Sequence, residues 1–431
     1  MASDARTGGD GQLARRLGTG DAVVIGLGSM IGAGVFAAFG PAARAAGTGL
    51  LVGLLIAAVV AFCNAVASAQ LAAVYPTSGG TYIYGREQLG HWWGFAAGWG
   101  FLVGKTASCA AMALTFASYA IAGPWWAQRA IAVLGVIALA TLNYHGVTKT
   151  VALTRVLVAA SLIALAAVVL GIALGGQASM DKLDGAAVGS SGAYGVLQAA
   201  GLLFFAFAGY ARIATMGEEV KDPERTIPRA IPLALGITVA VYLIVGVAAL
   251  LAAGPDRLAS ATAPLSAAVY AAGAGAVAPV VRVGAAVAAL GALLALIAGI
   301  GRTGLAMARH RDLPGWLSAV HPRYRVPHRA EVALAVVVCA LVATVDLRGV
   351  IGFSSFGVLL YYAVANAAAF SQPGRDRRWP RALNLLGLAG CLALVATLPW
   401  VSVVAGLVVF AVGLVGRTFV LARRARQAEA A

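Results

Sequence analysis

The chain has 431 residues, of which 61% are hydrophobic and 11% charged, and its mean hydropathy is +0.88. This composition excludes a soluble multi-domain protein and is typical of a polytopic membrane protein. The net charge of +15 does not indicate a nucleic-acid partner, because most of the 31 Lys and Arg residues fall in alternate loops between the apolar runs. That asymmetry instead predicts that both termini are cytoplasmic.

Apolar runs of roughly 20 residues, the length that crosses a bilayer, predict an all-α integral membrane protein with about twelve transmembrane helices. The predicted spans are residues 21–44, 47–74, 91–121, 128–143, 151–174, 193–216, 230–253, 277–308, 331–346, 350–370, 382–398 and 400–421. Residues 1–20 and 422–431 are predicted to be cytoplasmic tails. We expect a multi-pass protein of the cytoplasmic (inner) cell membrane, with the lipid bilayer as its surroundings.

The first span contains the most informative segment, residues 28–34, which has three glycines in seven positions. Irregular backbone inside a bilayer is tolerated only where it lines a cavity, since every polar backbone group needs a partner. Glycines weaken the helix and let a small molecule approach bare main chain. An interrupted helix also offers N–H groups and a positive dipole end to an anion. The segment therefore predicts a binding site at a broken helix.

The sixth span has a second weak point at Gly209. Interruptions in corresponding spans of two halves indicate inverted five-helix repeats, with the site at their interface. The predicted halves are residues 21–174 and 193–370, followed by two trailing helices over residues 382–421. Between the seventh and eighth spans, residues 263–269 form either a short helix over the entrance or a plain surface loop.

The predicted spans lack the side chains that enzymes use. All five histidines lie in loops or at helix ends, no carboxylate falls at mid-span, and the chain has no Gly-Lys loop for ATP. We therefore expect neither an enzyme nor a primary pump, and no metal or cofactor. Sodium coupling is also disfavoured, because residues 283–301 of the eighth span carry no oxygen-bearing side chain.

Two basic residues lie within spans, where ionisable groups are costly and indicate function by default. Lys105, near the middle of the third span, is either a switchable charge that replaces a coupling cation or a structural group that caps the carbonyls of a broken helix. Arg212 in the sixth span stays charged and is expected to pair across a cytoplasmic gate, with Asp21 or Glu218 as its partner.

Three stretches resemble the amino acid–polyamine–organocation (APC) family of secondary transporters. They are residues 26–36 (GLGSMIGAGVF), residues 204–231 (FFAFAGYARIATMGEEVKDPERTIPRAI) and residues 301–327 (GRTGLAMARHRDLPGWLSAVHPRYRVP). The resemblance covers nearly the whole chain. It implies inverted five-helix repeats with broken first and sixth helices, a fold shared with neurotransmitter-type symporters.

The resemblance also implies a division of roles at the two broken helices. Main-chain amides of Gly32, Ala33 and Gly34 would bind a substrate carboxylate, and carbonyls in both segments would bind its ammonium group. Phe205 would pack over the substrate as a gate, and Cys109 would face its side chain. The implied substrate-binding residues are Met30, Ile31, Gly32, Ala33, Gly34, Cys109, Phe205, Ala206, Ala208 and Gly209, with the ammonium carbonyls those of Met30, Phe205 and Ala208.

Two positions depart from the family pattern. Proton-coupled relatives carry a Lys in the fifth span where this chain has Ser161, and relatives often carry an acid where it has Ala211. The usual coupling residues are therefore missing, and Lys105 is the hypothesis for a replacement.

Together these features predict secondary transport of an amino acid by alternating access, either proton-coupled or by exchange. A neutral or small apolar substrate is favoured, since a buried cationic side chain needs an acid. Cation–π contact from Phe205 or Tyr210 keeps arginine, agmatine and polyamines as the alternative, and Lys105 leaves acidic substrates open. A sensor that binds an amino acid without moving it and a channel are alternatives of other classes.

Overall fold

The computed structural model describes residues 17–75, 79–146, 151–183, 186–214, 216 and 219–429, and these residues form a helical protein. Ten of the described helical segments are long and apolar enough to cross a membrane. Two further helices of 17 residues each, His328–Thr344 and Arg381–Thr397, complete the twelve that the sequence predicts. The predicted all-α membrane fold is therefore confirmed. Residues 1–16 of the N-terminal tail and Glu218, named above as a partner for Arg212, lie outside the described residues.

The spans are numbered here in chain order. Span 1 consists of Thr19–Met30, Ala33–Ala37 and Phe39–Ala46. Span 6 consists of Ala186–Phe207, a 3-10 turn over Ala208–Tyr210 and a short helix over Ala211–Ala214. The other spans are Leu50–Val74 (2), His91–Ala120 (3), Trp125–Tyr144 (4), Val151–Leu174 (5), Pro223–Ser260 (7), Ala278–Arg309 (8), His328–Thr344 (9), Leu347–Ser371 (10), Arg381–Thr397 (11) and Trp400–Glu429 (12).

Several helix boundaries differ from the predicted ones. Span 7 begins at Pro223 rather than at residue 230, because a proline fits the first helical position, where no N–H is needed. The predicted loop 75–90 contains a further helix, Thr81–Leu89. Residues 263–269 belong largely to a helix, Pro264–Ala271, which is one of the two structures expected there. Span 12 continues past residue 421 to Glu429, so the predicted tail 422–431 is helical over its described part.

The most buried spans of the molecule are 1, 2, 3, 6 and 10. Spans 3 and 10 pack backbone to backbone, since a Cβ on Gly357 would lie 2.7 Å from the carbonyl oxygen of Gly100. Membrane helices associate without a hydrophobic driving force. Small residues at such contacts let the helices approach closely and gain van der Waals attraction. Spans 4 and 12 instead bury few of their residues, as helices facing lipid do. The broken spans therefore lie inside the bundle, away from its lipid-facing surface.

Candidate functional site

Span 1 is interrupted at Ile31 and Gly32. The first helical segment ends at Met30, Ile31 and Gly32 have non-helical backbone angles, and a second segment begins at Ala33. Main-chain bonds from Ala38 to Gly34 (2.9 Å) and from Ala42 to Ala38 (3.1 Å) carry the second segment on to Ala46. The N–H groups of its first turn have no acceptor within their own helix and point to the interruption. The break predicted from the glycine-rich segment is therefore present.

Span 6 is interrupted directly beside it. The α-helix ends at Phe207 and tightens into the 3-10 turn Ala208–Tyr210. A Cβ on Gly209 would lie 2.2 Å from the carbonyl oxygen of Ser29, and one on Gly34 would lie 2.6 Å from the Cα of Ala206. Those distances are too short for any side chain, so two glycines let the backbones of the two breaks touch.

A side chain at Gly32 would point toward span 8. Its Cβ would meet the Cβ of Ala292 in span 8 at 3.0 Å. The N–H of Gly32 donates to the carbonyl of Met30 at 2.8 Å. Of the three predicted carboxylate amides, that of Gly32 is thus already bonded within span 1 in this conformation.

Tyr242 of span 7 holds the two breaks together. Its buried hydroxyl lies 2.6 Å from the carbonyl oxygen of Met30 and 3.0 Å from that of Ala206. A phenol has one proton, which it can share between two acceptors at these distances. Sequence reasoning missed this residue. The available signal was an aromatic side chain with a polar tip in the middle of an apolar span, where such a hydroxyl needs a partner.

Lys105 of span 3 reaches the second break. Its side chain is 7% exposed, and Nζ donates to the carbonyl of Ala208 at 3.1 Å. The hydroxyl of Tyr362 in span 10 donates to the same carbonyl at 3.4 Å. None of the ion pairs among the described residues includes Lys105. The buried ammonium group is therefore balanced here by a backbone carbonyl dipole rather than by an acid.

The structure brings most of the predicted site residues together. Met30, Gly34, Ala206, Ala208, Gly209 and Lys105 are joined by the contacts just described, and Cys109 lies one helical turn beyond Lys105. Phe205, Ile31 and Ala33 are buried on the same two segments. Two of the three carbonyls predicted for a substrate ammonium group, those of Met30 and Ala208, already accept hydrogen bonds from Tyr242 and Lys105.

Three coupling or gating candidates lie apart from this centre. Ser161, which is buried in span 5, donates to the carbonyl of Leu157 in its own helix at 2.8 Å. Asp21 pairs with Arg155 of span 5 rather than with Arg212. Arg212 pairs instead with Glu219 at 3.4 Å, in the segment that follows span 6.

Contacts close the bundle on both sides of the breaks. On the N-terminal side, Leu17 forms a parallel bridge with Val220, which ties the start of span 1 to the chain after span 6. On the other side, the hydroxyl of Tyr119 donates to the carbonyl of Phe36 at 2.9 Å and accepts from the N–H of Leu265 at 3.2 Å. The breaks are thus enclosed between two hydrogen-bonded ends.

Comparison with known proteins identifies the family. A family profile described as amino acid permease matches residues 17–419. The chain belongs to this family. It is 60% identical to an uncharacterized transporter of Mycobacterium tuberculosis over 97% of its own length and 94% of the relative's. It is also 27% identical to a branched-chain amino acid permease of Bacillus subtilis (95% and 94% covered) and 29% identical to a chloroplastic cationic amino acid transporter of Arabidopsis thaliana (90% and 71% covered).

The family membership confirms the resemblance to APC transporters and identifies a multi-pass membrane transporter of the amino acid permease class, not an enzyme. It leaves the individual site residues as predictions.

Proposed function

We propose that this protein is a secondary transporter that moves an amino acid across the cytoplasmic membrane by alternating access, without sodium. The observation that carries the proposal is the direct backbone contact between the breaks in spans 1 and 6, enclosed at both ends. A discontinuous helix pair at mid-bundle is how transporters of this architecture hold a small charged substrate. Residues 21–174 and 193–370 would be the two inverted repeats that rock around it, with both termini cytoplasmic.

Recognition would fall on the part that all amino acids share. The second segment of span 1 begins with the amides of Gly32, Ala33 and Gly34. They suit a carboxylate because they lie at the N-terminal end of a helix, where the helix dipole is positive. The carbonyls of Met30, Phe205 and Ala208 suit an ammonium group. The Gly32 amide would exchange its bond to Met30 for the carboxylate, which also releases the Met30 carbonyl toward the substrate ammonium.

Lys105 suggests how binding is coupled to protons. Its ammonium group already occupies the Ala208 carbonyl that a substrate ammonium would use. Two positive charges at one buried carbonyl repel each other strongly, because the surroundings screen little. Substrate binding would therefore force Lys105 to give up either its position or its proton. Alternatively, Lys105 is purely structural and caps the broken helix in every state. The protein would then be an exchanger.

A neutral substrate is favoured over a charged one. Among the described residues, no ion pair places a carboxylate at the breaks, where it could balance a cationic side chain of the substrate. The Bacillus relative is named for branched-chain amino acids, and apolar substrate side chains would suit the buried Cys109 and Phe205. The Arabidopsis relative is named for cationic amino acids, and it supports an arginine or polyamine antiporter as the second candidate, with Phe205 and Tyr210 supplying cation–π contact.

The proposal is tested by counterflow in proteoliposomes. The purified chain is reconstituted in sodium-free buffer, preloaded with each of the twenty amino acids or common polyamines, and diluted into the radiolabelled compound. Saturable counterflow of a neutral amino acid is expected. Counterflow of arginine or agmatine alone would replace the first candidate by the second. Binding without flux for every compound would favour a membrane sensor, and non-saturable flux would favour a channel.

A further inference from the structure

A short helix, Thr81–Leu89, lies between spans 2 and 3 and is called the strap here. It packs closely on the beginning of span 3, where a Cβ on Gly94 would lie 2.7 Å from the Cβ of Arg86. The first N–H group of the strap, that of Thr81, donates to the hydroxyl of Tyr361 in span 10 at 3.1 Å. The strap is therefore fastened to spans 3 and 10 by close backbone packing and a satisfied helix end.

A buried ion pair fastens the strap a third time. The hydroxyl of Tyr82 donates to Oδ2 of Asp312, in the segment after span 8, at 2.8 Å. Oδ1 of the same carboxylate lies 3.0 Å from Nη2 of Arg417 in span 12, and both side chains are 7% exposed. Separating a buried pair leaves an uncompensated charge, which costs more than an exposed pair does. We therefore expect the strap to move together with spans 3, 10 and 12.

The C-terminal end of span 6 belongs to a different group of helices. Its last helix, Ala211–Ala214, packs against spans 1, 2 and 7. Ile213 fills the contact with span 1, since a Cβ on Gly26 would lie 2.3 Å from its Cδ1. The bridge between Leu17 and Val220 joins the same two parts of the chain. The end of span 6 is thus held by span 1, which carries the other break.

Tyr84 connects these two groups of helices. It belongs to the strap, its side chain is fully buried, and its hydroxyl donates to the carbonyl of Ala214 at 3.2 Å. Ala214 is the last residue of its helix, and the last carbonyls of a helix have no partner within it. One hydrogen bond therefore crosses from the strap to span 6 and satisfies a buried donor and a buried acceptor.

The strap also contacts the end of span 2, but through a residue that is close to it in the chain. Gln88 Nε2 donates to the hydroxyl of Tyr75 at 2.6 Å. Tyr75 follows the last helical residue of span 2 and shortly precedes the strap. Ala214, by contrast, lies 130 positions from Tyr84, so no short chain segment keeps these two residues together.

We propose that Tyr84 is a gating residue, whose bond to Ala214 holds this end of the bundle closed and breaks each time span 6 moves away from the strap. The inference rests on the proposed function and adds a gate to it. Transporters of this architecture work by moving one group of helices against another around a fixed site. A neutral hydrogen bond suits a contact that must open repeatedly, because its net worth is small once both partners can bond to water.

The charged groups near the gate pair within their own group of helices. Arg212 at the end of span 6 pairs with Glu219, which follows span 6, at 3.4 Å. On the other side, Arg86 of the strap lies 3.9 Å from Asp312. Neither pair crosses from the strap to span 6, so opening the gate does not require either of them to separate.

The distance between the strap and the end of span 6 tests the gate directly. Spin labels are attached at Glu87→Cys on the strap and at Lys221→Cys after span 6, two exposed positions, and Cys339, which is partly exposed, is replaced by Ser. Double electron–electron resonance on the full chain in nanodiscs then measures the separation. Tyr84→Phe should raise the fraction of molecules with the longer separation by about three- to tenfold, the effect of one lost hydrogen bond.

Tyr119→Phe is the matched control. Tyr119 is also buried, and its hydroxyl donates to the carbonyl of Phe36 at the opposite end of the bundle, so its loss should not lengthen the separation between the labels. Equal distance distributions in the wild type and Tyr84→Phe, or the same lengthening in Tyr119→Phe, would overturn the gating role of Tyr84.

Leucine counterflow in proteoliposomes separates the gate from the transporter itself. Tyr84→Phe should change the KM for leucine several-fold, because a population shift alters the share of molecules that present the site to each side. Leucine counterflow by the wild type with unchanged label distances in Tyr84→Phe would overturn the gate and leave amino-acid transport standing. Longer distances in Tyr84→Phe without leucine counterflow by the wild type would support the gate and count against the proposed function for that probe.

Discussion

The breaks in spans 1 and 6 face each other but are built differently. In span 1, two residues leave the helical conformation and a new segment starts, which directs main-chain N–H groups at the gap. In span 6 the helix only tightens into a 3-10 turn, which directs the Ala208 carbonyl sideways to Lys105. One break is therefore suited to negative charge and the other to positive charge. An amino acid carries both at a fixed spacing.

The largest expected effect comes from the contact between the breaks. Gly209→Ala should abolish amino-acid counterflow and lower the melting temperature, because the new Cβ would lie 2.2 Å from the Ser29 carbonyl and push the two spans apart. Gly236→Ala on span 7, where nothing lies within 4 Å, is the control and should be neutral or slightly stabilising. Normal counterflow by Gly209→Ala would show that the breaks need not touch.

Lys105 contacts the break in span 6, and we expect it to carry the coupled proton. Lys105→Met should remove the dependence of net uptake on an imposed proton gradient and leave exchange in place, because no other group at the Ala208 carbonyl would carry the proton. Uptake with and without an inward proton gradient is the measurement. A gradient dependence equal to that of the wild type would return Lys105 to a structural role.

Tyr242 is expected to matter to both breaks at once. Tyr242→Phe leaves the carbonyls of Met30 and Ala206 without their shared donor, which should cost about 1–3 kcal/mol of stability. A lower melting temperature together with slower counterflow is the expected result. Tyr270→Phe is the control, since Tyr270 is 59% exposed. A Tyr242→Phe protein as stable as the control would remove Tyr242 from the site.

A smaller effect is expected for Gly32→Ala, on the side of the span 1 break that faces span 8. Gly32→Ala should weaken amino-acid binding, because the added Cβ would meet that of Ala292 at 3.0 Å, and the larger Gly32→Val should prevent binding. The double variant Gly32→Ala, Ala292→Gly should recover affinity, measured as the KM for counterflow. Failure of the second change to restore KM would mean that Gly32 acts through the amides rather than through packing on span 8.

The smallest effect is expected at the exposed end of span 1. Asp21→Asn removes a pair with Arg155 that is partly open to solvent, so it should cost less than about 1 kcal/mol. Counterflow should continue at close to the wild-type rate. Loss of proton coupling in this variant would instead make Asp21 a coupling residue and weaken the case for Lys105.

Sequence reasoning predicted the breaks because their cause is local. Glycines in residues 28–34 and at position 209 limit helix formation wherever the chain goes, and the family motif placed the two segments together. The helix Thr81–Leu89 was missed, since its mixed polar and aromatic residues have no clear apolar face. Tyr242 was missed for another reason. Whether a tyrosine in an apolar span packs or bridges two breaks depends on how that span is rotated, which one sequence does not specify.

The partners of the charged residues were predicted less well than their positions. Arg212 was expected to meet Asp21 or Glu218, and the structure pairs it with Glu219 and pairs Asp21 with Arg155. Several acids and bases lie close in sequence around residues 212–225, so small shifts in the chain path decide which of them pair. The Lys105 contact with a carbonyl of a broken helix was one of the two roles foreseen, and its geometry is compatible with both.

We expect the two breaks to bind the carboxylate and the ammonium group of one amino acid. The most direct measurement is inhibition of leucine counterflow by L-leucine, by leucine methyl ester, which lacks the carboxylate, and by N-acetyl-leucine, which lacks the ammonium group. Strong inhibition by L-leucine is expected, with each derivative weaker by at least about tenfold, the cost of a lost charge-assisted contact. Equal inhibition by all three compounds would contradict it, because binding would then rest on the side chain and not on the backbone of the breaks.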